Sequence, residues 1–184
     1  MQIIEGENVD LLEPFPASQL ERLFGWLHCY KTFIETDLSP KTAAAYVEMF
    51  TNLPADVRTF GGVDKRQQVD AKVDAALIGM LAFEPASPYN GYMHVASRRK
   101  AWGTGLIEEA SKLVITELFT SNEQLCRLSA MVFDKNAPAK SLLVRMGFRR
   151  EGIFPEFVRQ NNLPVTIAHY GLTRSSYNES IGVN

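Results

Sequence analysis

Apolar residues recur along this chain with two different periods, and the changes between them mark the predicted elements. Residues 103–119 carry the clearest helical pattern, in which Leu106, Ala110 and Leu113 share one face and charged residues occupy the other. Residues 75–83 are almost all apolar, which is typical of a central strand buried on both faces. The remaining helices are predicted at 17–34, 40–53 and 137–146, and the remaining strands at 9–12, 57–60, 92–96, 125–133, 148–158 and 165–172.

Proline, glycine and asparagine mark the predicted boundaries of these elements. Ser39 and Pro40 have the residue types of a helix N-cap and a first helical position, and Gly147 suits a helix C-cap. The predicted breaks are Pro14 after the first strand, Pro54 after the second helix, Gly61-Gly62 after 57–60, an irregular turn at 64–74, a loop at 84–91 and a turn at Asn161-Asn162.

The order of the elements predicts a mixed α+β fold. A strand, two helices and several antiparallel-type strands precede a strand–helix–strand–helix–strand–strand series, which gives a mixed, mostly antiparallel central sheet flanked by helices. The 184 residues, 46% of them hydrophobic, are enough for one globular domain with a sizeable core. We therefore expect a single domain over 1–173, followed by a polar, frayed tail over 174–184.

Charge and cysteine usage exclude several classes of protein. The formal net charge of −2 and the sequence pI of about 5.9 give no overall attraction to nucleic acid or to an anionic membrane. The N-terminal residues are too acidic for a signal peptide, and no stretch has the apolar length of a membrane span. Cys29 and Cys126 have neither metal-ligand spacing nor the number needed for a disulfide framework. We expect a cytoplasmic protein with reduced cysteines and no bound metal.

Residues 92–106 form the stretch around which the predicted fold is organised. A short strand leads into Arg98, Arg99 and Lys100, and Gly103 and Gly105 precede the long helix. The first turn of a helix has unpaired backbone N–H groups and the positive end of the helix dipole, and glycine lets a ligand approach the backbone. The pattern therefore predicts an anion site of the phosphate type. The alternative is a solvated loop before an ordinary helix.

Two segments carry a resemblance to a known family. Residues 98–104 read Arg-Arg-Lys-Ala-Trp-Gly-Thr, and residues 136–148 read Asn-Ala-Pro-Ala-Lys-Ser-Leu-Leu-Val-Arg-Met-Gly-Phe. They resemble the acyl-CoA signature Gln/Arg-x-x-Gly-x-Gly/Ala and the Asn-x-x-Ala/Ser…Gly-Phe segment of the GNAT-type N-acetyltransferases, within them the ribosomal-protein N-terminal acetyltransferase branch. The order of elements agrees with that family from about residue 9 to residue 172. Ala101 stands where the signature has its first glycine.

This resemblance implies that acetyl-CoA is the acyl donor, used as a cosubstrate. In the family, two neighbouring strands splay apart and the pantetheine arm lies in the gap, which here implies contact with the backbone at 93–96. The pyrophosphate is then expected on backbone N–H groups from Arg99 to Thr104, with the basic side chains adding charge-assisted hydrogen bonds. The residues expected to bind the donor are Met93, Val95, Ala96, Arg98, Arg99, Lys100, Ala101, Trp102, Gly103, Thr104, Asn136 and Lys140.

The resemblance also implies direct attack of an amine on the thioester, which gives single residues a role. The backbone N–H of Val95 is expected to stabilise the developing oxyanion. His94 is the candidate base because histidine titrates near neutral pH without tuning, and Glu84 is the reserve base. The alternative for His94 is an ordinary hydrogen-bonded histidine on a half-buried strand. Leu143 replaces the tyrosine that acts as general acid in many family members, so Tyr170 or a water is the expected proton donor.

The acceptor is expected to be a primary amine of a protein or of a small molecule. Trp26, Tyr30 and Phe154 are the candidate residues for binding it, from the first two helices and the last pair of strands. Aromatic residues at helical spacing more often belong to a core, so each has a plain structural alternative. The further candidates of this kind are His28, Phe33 and Phe157.

Two other functions remain open at this point. Ala101, Ala139 and Leu143 depart from the catalytic members, which is compatible with a non-catalytic acyl-CoA-binding or scaffold domain of the same fold. An RNA- or ribosome-associated protein using the basic residues at 98–100 and 149–150 is the weaker alternative, because the overall charge is close to neutral. The sequence leaves both a monomer and a homodimer open.

Overall fold

In the computed structural model, which describes residues 1–67 and 76–182, contacts group the chain into two units of interleaved segments. The first unit consists of Met1–Cys29, Pro40–Glu84 and His94–Glu117, and the second of Tyr30–Ser39, Pro85–Met93 and Leu118–Asn184. The chain changes from one unit to the other within two of its strands. The expected single domain over 1–173 stays a prediction.

The first unit contains an antiparallel set of strands. β1 (Gln2–Ile4), β2 (Val9–Glu13), β3 (Arg58–Asp64) and β4 (Leu77–Ser87) follow one another in that order, and the first of them was not predicted. Among the described residues, this unit contains the starts of the helices α1 (Leu20–His28), α2 (Ala43–Thr51) and α3 (Leu106–Ser121). A buried cluster joins its strands to α1 and α2, with members Leu12, Phe15, Leu20, Leu23, Tyr46, Val63, Ala76, Leu77 and Met80.

An ionic network stabilises the outer face of the same unit. The Arg58 guanidinium donates to both carboxylate oxygens of Glu13 at 2.7 and 2.8 Å and to Glu117 at 2.9 Å. These side chains are only 27%, 17% and 22% exposed, so water screens them incompletely. The two carboxylates raise the pKa of Arg58 further above its ordinary value, against the opposing effect of burial. The network therefore joins β2, β3 and α3.

The second unit is built on β5 (Asn90–Ser97), β6 (Arg127–Phe133), β7 (Arg149–Gln160) and β8 (Leu163–Thr173), in the order β5-β6-β8-β7. Residues 90–92 of β5 pair with 127–129 of β6 in parallel, and the β6–β8 and β7–β8 pairs are antiparallel. α4 (Ala137–Arg145) and α5 (Arg174–Ile181) complete the unit. The predicted fold class, a mixed and mostly antiparallel sheet with helices, is confirmed.

Two predicted breaks in the sheet are wrong. β3 continues through Gly61 and Gly62 instead of stopping there, because both glycines are buried against β4. A Cβ at Gly61 would lie 3.1 Å from a Leu77 methyl carbon, so these glycines serve close packing and not a turn. The predicted loop at 84–91 is also wrong, since β4 extends to Ser87 and β5 begins at Asn90.

Three predicted helix boundaries need correction. α1 ends at His28 instead of Ile34, and a separate 3-10 turn follows at Lys31–Phe33. The N-cap of α2 is Thr42, whose hydroxyl accepts from the Ala45 N–H at 3.2 Å, because the Ser39 hydroxyl already accepts from the Thr36 N–H. α3 begins at Leu106, since the positive φ angles just before it exclude a right-handed helix.

The predicted start and end of α4 are confirmed. The Asn136 side chain accepts from the Ala139 N–H at 3.2 Å, and Gly147 follows the helix with a φ of +89°. The frayed tail, by contrast, is wrong over Arg174–Ile181, which is helical. Arg174 donates to the carbonyls of Phe119, Asn122 and Leu125, which ties this helix down.

Part of the predicted turn at 64–74 and the last two residues of the tail lie outside the described residues. Within the described ranges, no helix has the length and apolar character needed to cross a membrane.

Candidate functional site

The end of β5 and the turn after it form one continuous surface in the first unit. His94 and Val95 are exposed on β5, whereas Met93 and Ser97 are buried. A 3-10 turn at Arg99–Ala101 follows, with Ala101 buried beneath it. The Arg98 N–H donates to the Ile78 carbonyl at 2.8 Å, which fixes the start of the turn on β4. This is the stretch that the sequence marked as an anion site.

Two glycines open the backbone between this turn and α3. Gly103 and Gly105 have φ angles of +73° and +85°, a region that glycine adopts without strain. A Cβ at either position would meet no atom within 4 Å, so there is free space beside the backbone. The Thr104 hydroxyl between them donates to the Ala101 carbonyl at 2.8 Å and lies 3.4 Å from the Leu106 N–H. The turn is therefore ordered, open and placed at the start of a long helix.

The three basic side chains of this turn have different surroundings. Arg99 and Lys100 are exposed, and the Lys100 ammonium donates to Gln67 at 3.4 Å. The Arg98 guanidinium instead donates to the Leu77 carbonyl at 3.0 Å and lies over the Trp26 ring at 5.0 Å. Burial and then the nearby Arg22 charge lower the pKa of Arg98 below its ordinary value. Arg99 and Lys100 are thus better placed than Arg98 to reach an anion at the turn.

Acidic residues in the first turn of α3 would oppose an anion, but both are engaged elsewhere. Glu108 pairs with Lys112 at 2.8 Å. Glu109 accepts from the backbone N–H groups of Asn8 and Val9 at 2.6 and 3.1 Å. Burial alone would raise the pKa of Glu109, yet these hydrogen bonds outweigh it and lower the pKa. The positive end of the helix remains compatible with a phosphate group.

His94 and Glu84 are brought together across β4 and β5. Nε2 of His94 lies 3.0 Å from Oε2 of Glu84, and the two side chains are 55% and 59% exposed. If the Glu84 carboxylate is the acceptor in this contact, Nε2 carries the proton and Nδ1 has the free lone pair. These residues were predicted as separate candidate bases, and the structure places their side chains within hydrogen-bonding distance of each other.

Asn136 and Lys140 belong to the second unit. The Asn136 amide is the N-cap of α4 and also donates to the Phe33 carbonyl at 3.4 Å. Both contacts hold parts of the second unit in place. Lys140 pairs with Asp134 at 3.0 Å. Leu143, at the usual general-acid position, is only 8% exposed and belongs to the core.

The three acceptor candidates have different exposures. Trp26 is partly buried and packs on the hydrophobic cluster of the first unit, and Tyr30 is buried in the second. Phe154 is 39% exposed, and its ring lies 5.4 Å from that of Phe157 and 6.0 Å from that of His169. Phe154 is therefore the candidate with the most surface available to a ligand.

The group around His169 was not predicted from the sequence. Nδ1 of this residue lies 3.3 Å from Glu151, whose carboxylate also pairs with Arg127. Gly171 leaves the space for that pair, since a Cβ there would collide with both side chains. This group depends on the register of β7 and β8, which the sequence pattern does not indicate. Gly152 pairs with His169, and the register of the two strands shifts beside Glu151.

Comparison with known proteins shows the family to which this chain belongs. Residues 11–149 match the family model described as an acetyltransferase (GNAT) domain. The chain belongs to this family. It is 23% identical over 179 residues to the uncharacterized N-acetyltransferase YoaA of Bacillus subtilis (strain 168), covering 94% of this chain and 91% of that protein.

Solved structures share the same GNAT fold. One is the ribosomal-protein-S5-alanine acetyltransferase from Vibrio fischeri, with a TM-score of 0.71, 17% identity, and 94% and 97% of the two chains covered. Another is RimL, a ribosomal L7/L12 α-N-protein acetyltransferase in complex with coenzyme A, with a TM-score of 0.76, 11% identity, and 95% and 99% covered.

Membership of the GNAT family confirms the predicted family and enzyme class. The chain is an acyltransferase, and GNAT proteins use acetyl-CoA as the acyl donor. The alternative of a non-catalytic scaffold is therefore set aside.

Proposed function

We propose that this GNAT protein transfers an acetyl group from acetyl-CoA to a primary amine in the cytoplasm, with His94 as the general base. The observation that carries the proposal is the 3.0 Å contact between His94 and Glu84, on the strand that leads into the open glycine turn. An exposed histidine oriented by a carboxylate can take a proton from an incoming amine. The neighbouring turn offers the cationic, uncrowded backbone that a pyrophosphate requires.

The fit between this turn and the donor rests on three features. Gly103 and Gly105 leave space for phosphate oxygens beside the backbone. Arg99 and Lys100 add exposed positive charge, and the start of α3 adds the helix dipole. Ala101 is buried below the turn, so its methyl group does not point into that space. The departure from the family signature at this position is therefore compatible with binding.

The residues of β5 have separate chemical roles. Acetyl-CoA supplies the thioester whose C–S bond breaks as the C–N bond to the amine forms. Nδ1 of His94 accepts the proton that the amine loses, while Glu84 keeps the ring in the required tautomer. The N–H of Val95 donates to the thioester oxygen as negative charge develops there. The thiolate of coenzyme A leaves without a protein acid at Leu143. It takes its proton from water, since Tyr170, the other expected donor, is only 4% exposed.

We propose a protein N-terminus as the first acceptor class to test. Two proteins of the same fold are named as acetyltransferases of ribosomal proteins. Phe154, together with Trp26 and Tyr30, is proposed to contact the acceptor, and the exposed part of the Phe154 ring suits the apolar part of a peptide. Small-molecule amines form the second class.

The test is release of free thiol from acetyl-CoA over a panel of amines. The panel contains peptides with free N-termini, a peptide with a blocked N-terminus and a free lysine, spermidine, and single amino acids. Mass spectrometry of the products identifies the modified nitrogen. We expect thiol release and an acetylated N-terminus with at least one peptide. Thiol release no faster than in enzyme-free controls, for every amine, would contradict the proposal.

A further inference from the structure

A hydrogen-bonded clamp joins the tip of the β7–β8 hairpin to Tyr30–Ser39, which we name the 30–39 segment. The Asp37 carboxylate accepts from the backbone N–H of Asn161 at 2.7 Å through one oxygen. Its other oxygen accepts from the N–H of Asn162 at 2.9 Å. The Asp37 N–H itself donates to the Arg159 carbonyl at 2.8 Å. One residue thus makes three hydrogen bonds to the hairpin tip.

The hairpin turn presents these N–H groups because of its conformation. Asn161 and Asn162 have φ angles of +53° and +61°, and Gln160 pairs with Leu163, which defines a two-residue turn of the I′ type. Asparagine tolerates such angles better than most residues. Both N–H groups then point out of the turn, where a carboxylate can accept them as charge-assisted bonds.

Gln160 strengthens the same clamp. Its amide nitrogen donates to the carbonyls of Glu35 at 2.7 Å and Lys31 at 3.3 Å, and its amide oxygen accepts from Lys135 at 2.6 Å. The Asn136 amide at the start of α4 donates to the Phe33 carbonyl at 3.4 Å. The 30–39 segment is therefore tied to the hairpin and to α4, although it lies between two helices of the other unit in sequence.

We infer that Asp37 is a positioning residue for the acceptor, an inference that rests on the proposed function. Tyr30 lies in the 30–39 segment and Phe154 lies on the hairpin, so two proposed acceptor contacts come from distant parts of the sequence. The clamp joins these two parts. The hydrogen bonds of Asp37 to the hairpin lie within the second unit, so we expect its effect on the placement of the acceptor side.

The exposure of Asp37 separates this role from a purely structural one. The side chain is exposed, so its hydrogen bonds compete with water and add little to global stability. Their main effect should be local, because residues 31–39 are partly or fully exposed and such surface segments open at a lower free energy than the core. Loss of the clamp therefore changes acceptor binding more than it changes the melting temperature.

The experiment uses full-length Asp37→Ala, with a peptide carrying a free N-terminus as the acceptor probe. We expect the peptide KM to rise about tenfold, from the loss of hydrogen bonds to a charged group. The KM for acetyl-CoA and kcat should change by less than about twofold, which is the pattern of lost acceptor binding alone. Asp37→Asn keeps one accepting oxygen and should give an intermediate KM. Asp56→Ala, on an exposed turn of the first unit, is the matched control for lost charge.

The outcomes separate the positioning role of Asp37 from the proposed function. Hydrogen exchange should show lost protection over residues 30–39 in Asp37→Ala and none in Asp56→Ala. If wild type acetylates the peptide and Asp37→Ala behaves like Asp56→Ala, the clamp has no positioning role. An equal rise in the KM for acetyl-CoA also overturns it. If Asp37→Ala fails to fold, a wild-type peptide KM in Asp37→Asn overturns it instead. A wild type that acetylates no amine overturns the proposed function itself.

Discussion

Gly103→Ala adds one methyl group to the proposed donor turn without touching any other atom of the protein. Gly103 has a φ of +73°, and a Cβ there would meet nothing within 4 Å. The protein therefore loses only the backbone preference for glycine, about 1–2 kcal/mol for a non-glycine residue in the left-handed region. The same methyl group would occupy space that we assign to the pyrophosphate. The substitution separates ligand binding from folding.

Gly182→Ala is the matched control for this substitution. Gly182 also has a φ of +73° and also has no atom within 4 Å of a Cβ, but it follows α5 in the second unit. Both variants should lose the same 1–2 kcal/mol or so, which lowers Tm by about 2–8 °C for a chain of this length. Only Gly103→Ala should weaken acetyl-CoA binding.

The assay is thermal unfolding with and without acetyl-CoA. At a hundredfold excess over Kd, acetyl-CoA stabilises the wild type by about 2.7 kcal/mol. A tenfold weaker Kd reduces that gain to about 1.4 kcal/mol at the same concentration. We expect the ligand-induced rise in Tm to be halved in Gly103→Ala and unchanged in Gly182→Ala. Equal rises in the two variants would refute the placement of the donor on this turn.

Two further predictions concern the scaffold of the first unit. Arg58→Met leaves two carboxylates partly buried and without their ion-pair partner. The free energy of unfolding in urea should therefore fall by about 2 kcal/mol, which is less than the loss for a fully buried pair. An unchanged urea midpoint would contradict this. The pKa of Glu109 is lowered in the folded state, so its stabilisation is present above an unfolded pKa of about 4.3 and is lost as the pH falls through the folded pKa. Between about pH 5 and pH 3, Tm should therefore fall less steeply in Glu109→Gln than in wild type, and parallel curves would exclude this role.

Local chemistry was sufficient to predict several elements. Asn136, Pro138 and Gly147 carry the complete signals for a helix start and end, and α4 occupies that interval. The Asn161-Asn162 turn was predicted for the same reason, since positive φ at both positions favours asparagine. The family signature was sufficient to propose a donor turn at 98–104 because its residues are contiguous in sequence.

Tertiary contacts explain the boundaries that could not be predicted. Gly61 has the composition of a turn, yet its lack of a side chain serves contact with Leu77 on the next strand. Ser39 has the composition of an N-cap, but its hydroxyl is engaged by Thr36 and leaves the cap to Thr42. Each of these boundaries depends on a contacting residue that the periodicity of the sequence does not indicate.

In the candidate site as well, the residues could be predicted from the sequence but their contacts could not. His94 and Glu84 were predicted as candidate bases, but their 3.0 Å contact depends on the pairing of two strands. The Arg98 side chain contacts the Leu77 carbonyl and the Trp26 ring. This direction depends on packing, so it could not be predicted from the basic sequence around Arg98.

The pH dependence of kcat in His94→Ala tests the central claim most directly. Removal of a general base lowers rates by about 10²–10⁴-fold, and the loss should shrink at high pH, where more of the amine is already unprotonated. The acetyl-CoA-induced rise in Tm should equal that of wild type, because the donor turn is intact. We expect a large loss of kcat at neutral pH with recovery at alkaline pH. A wild-type pH–rate profile in His94→Ala would contradict the assignment of His94 as the base.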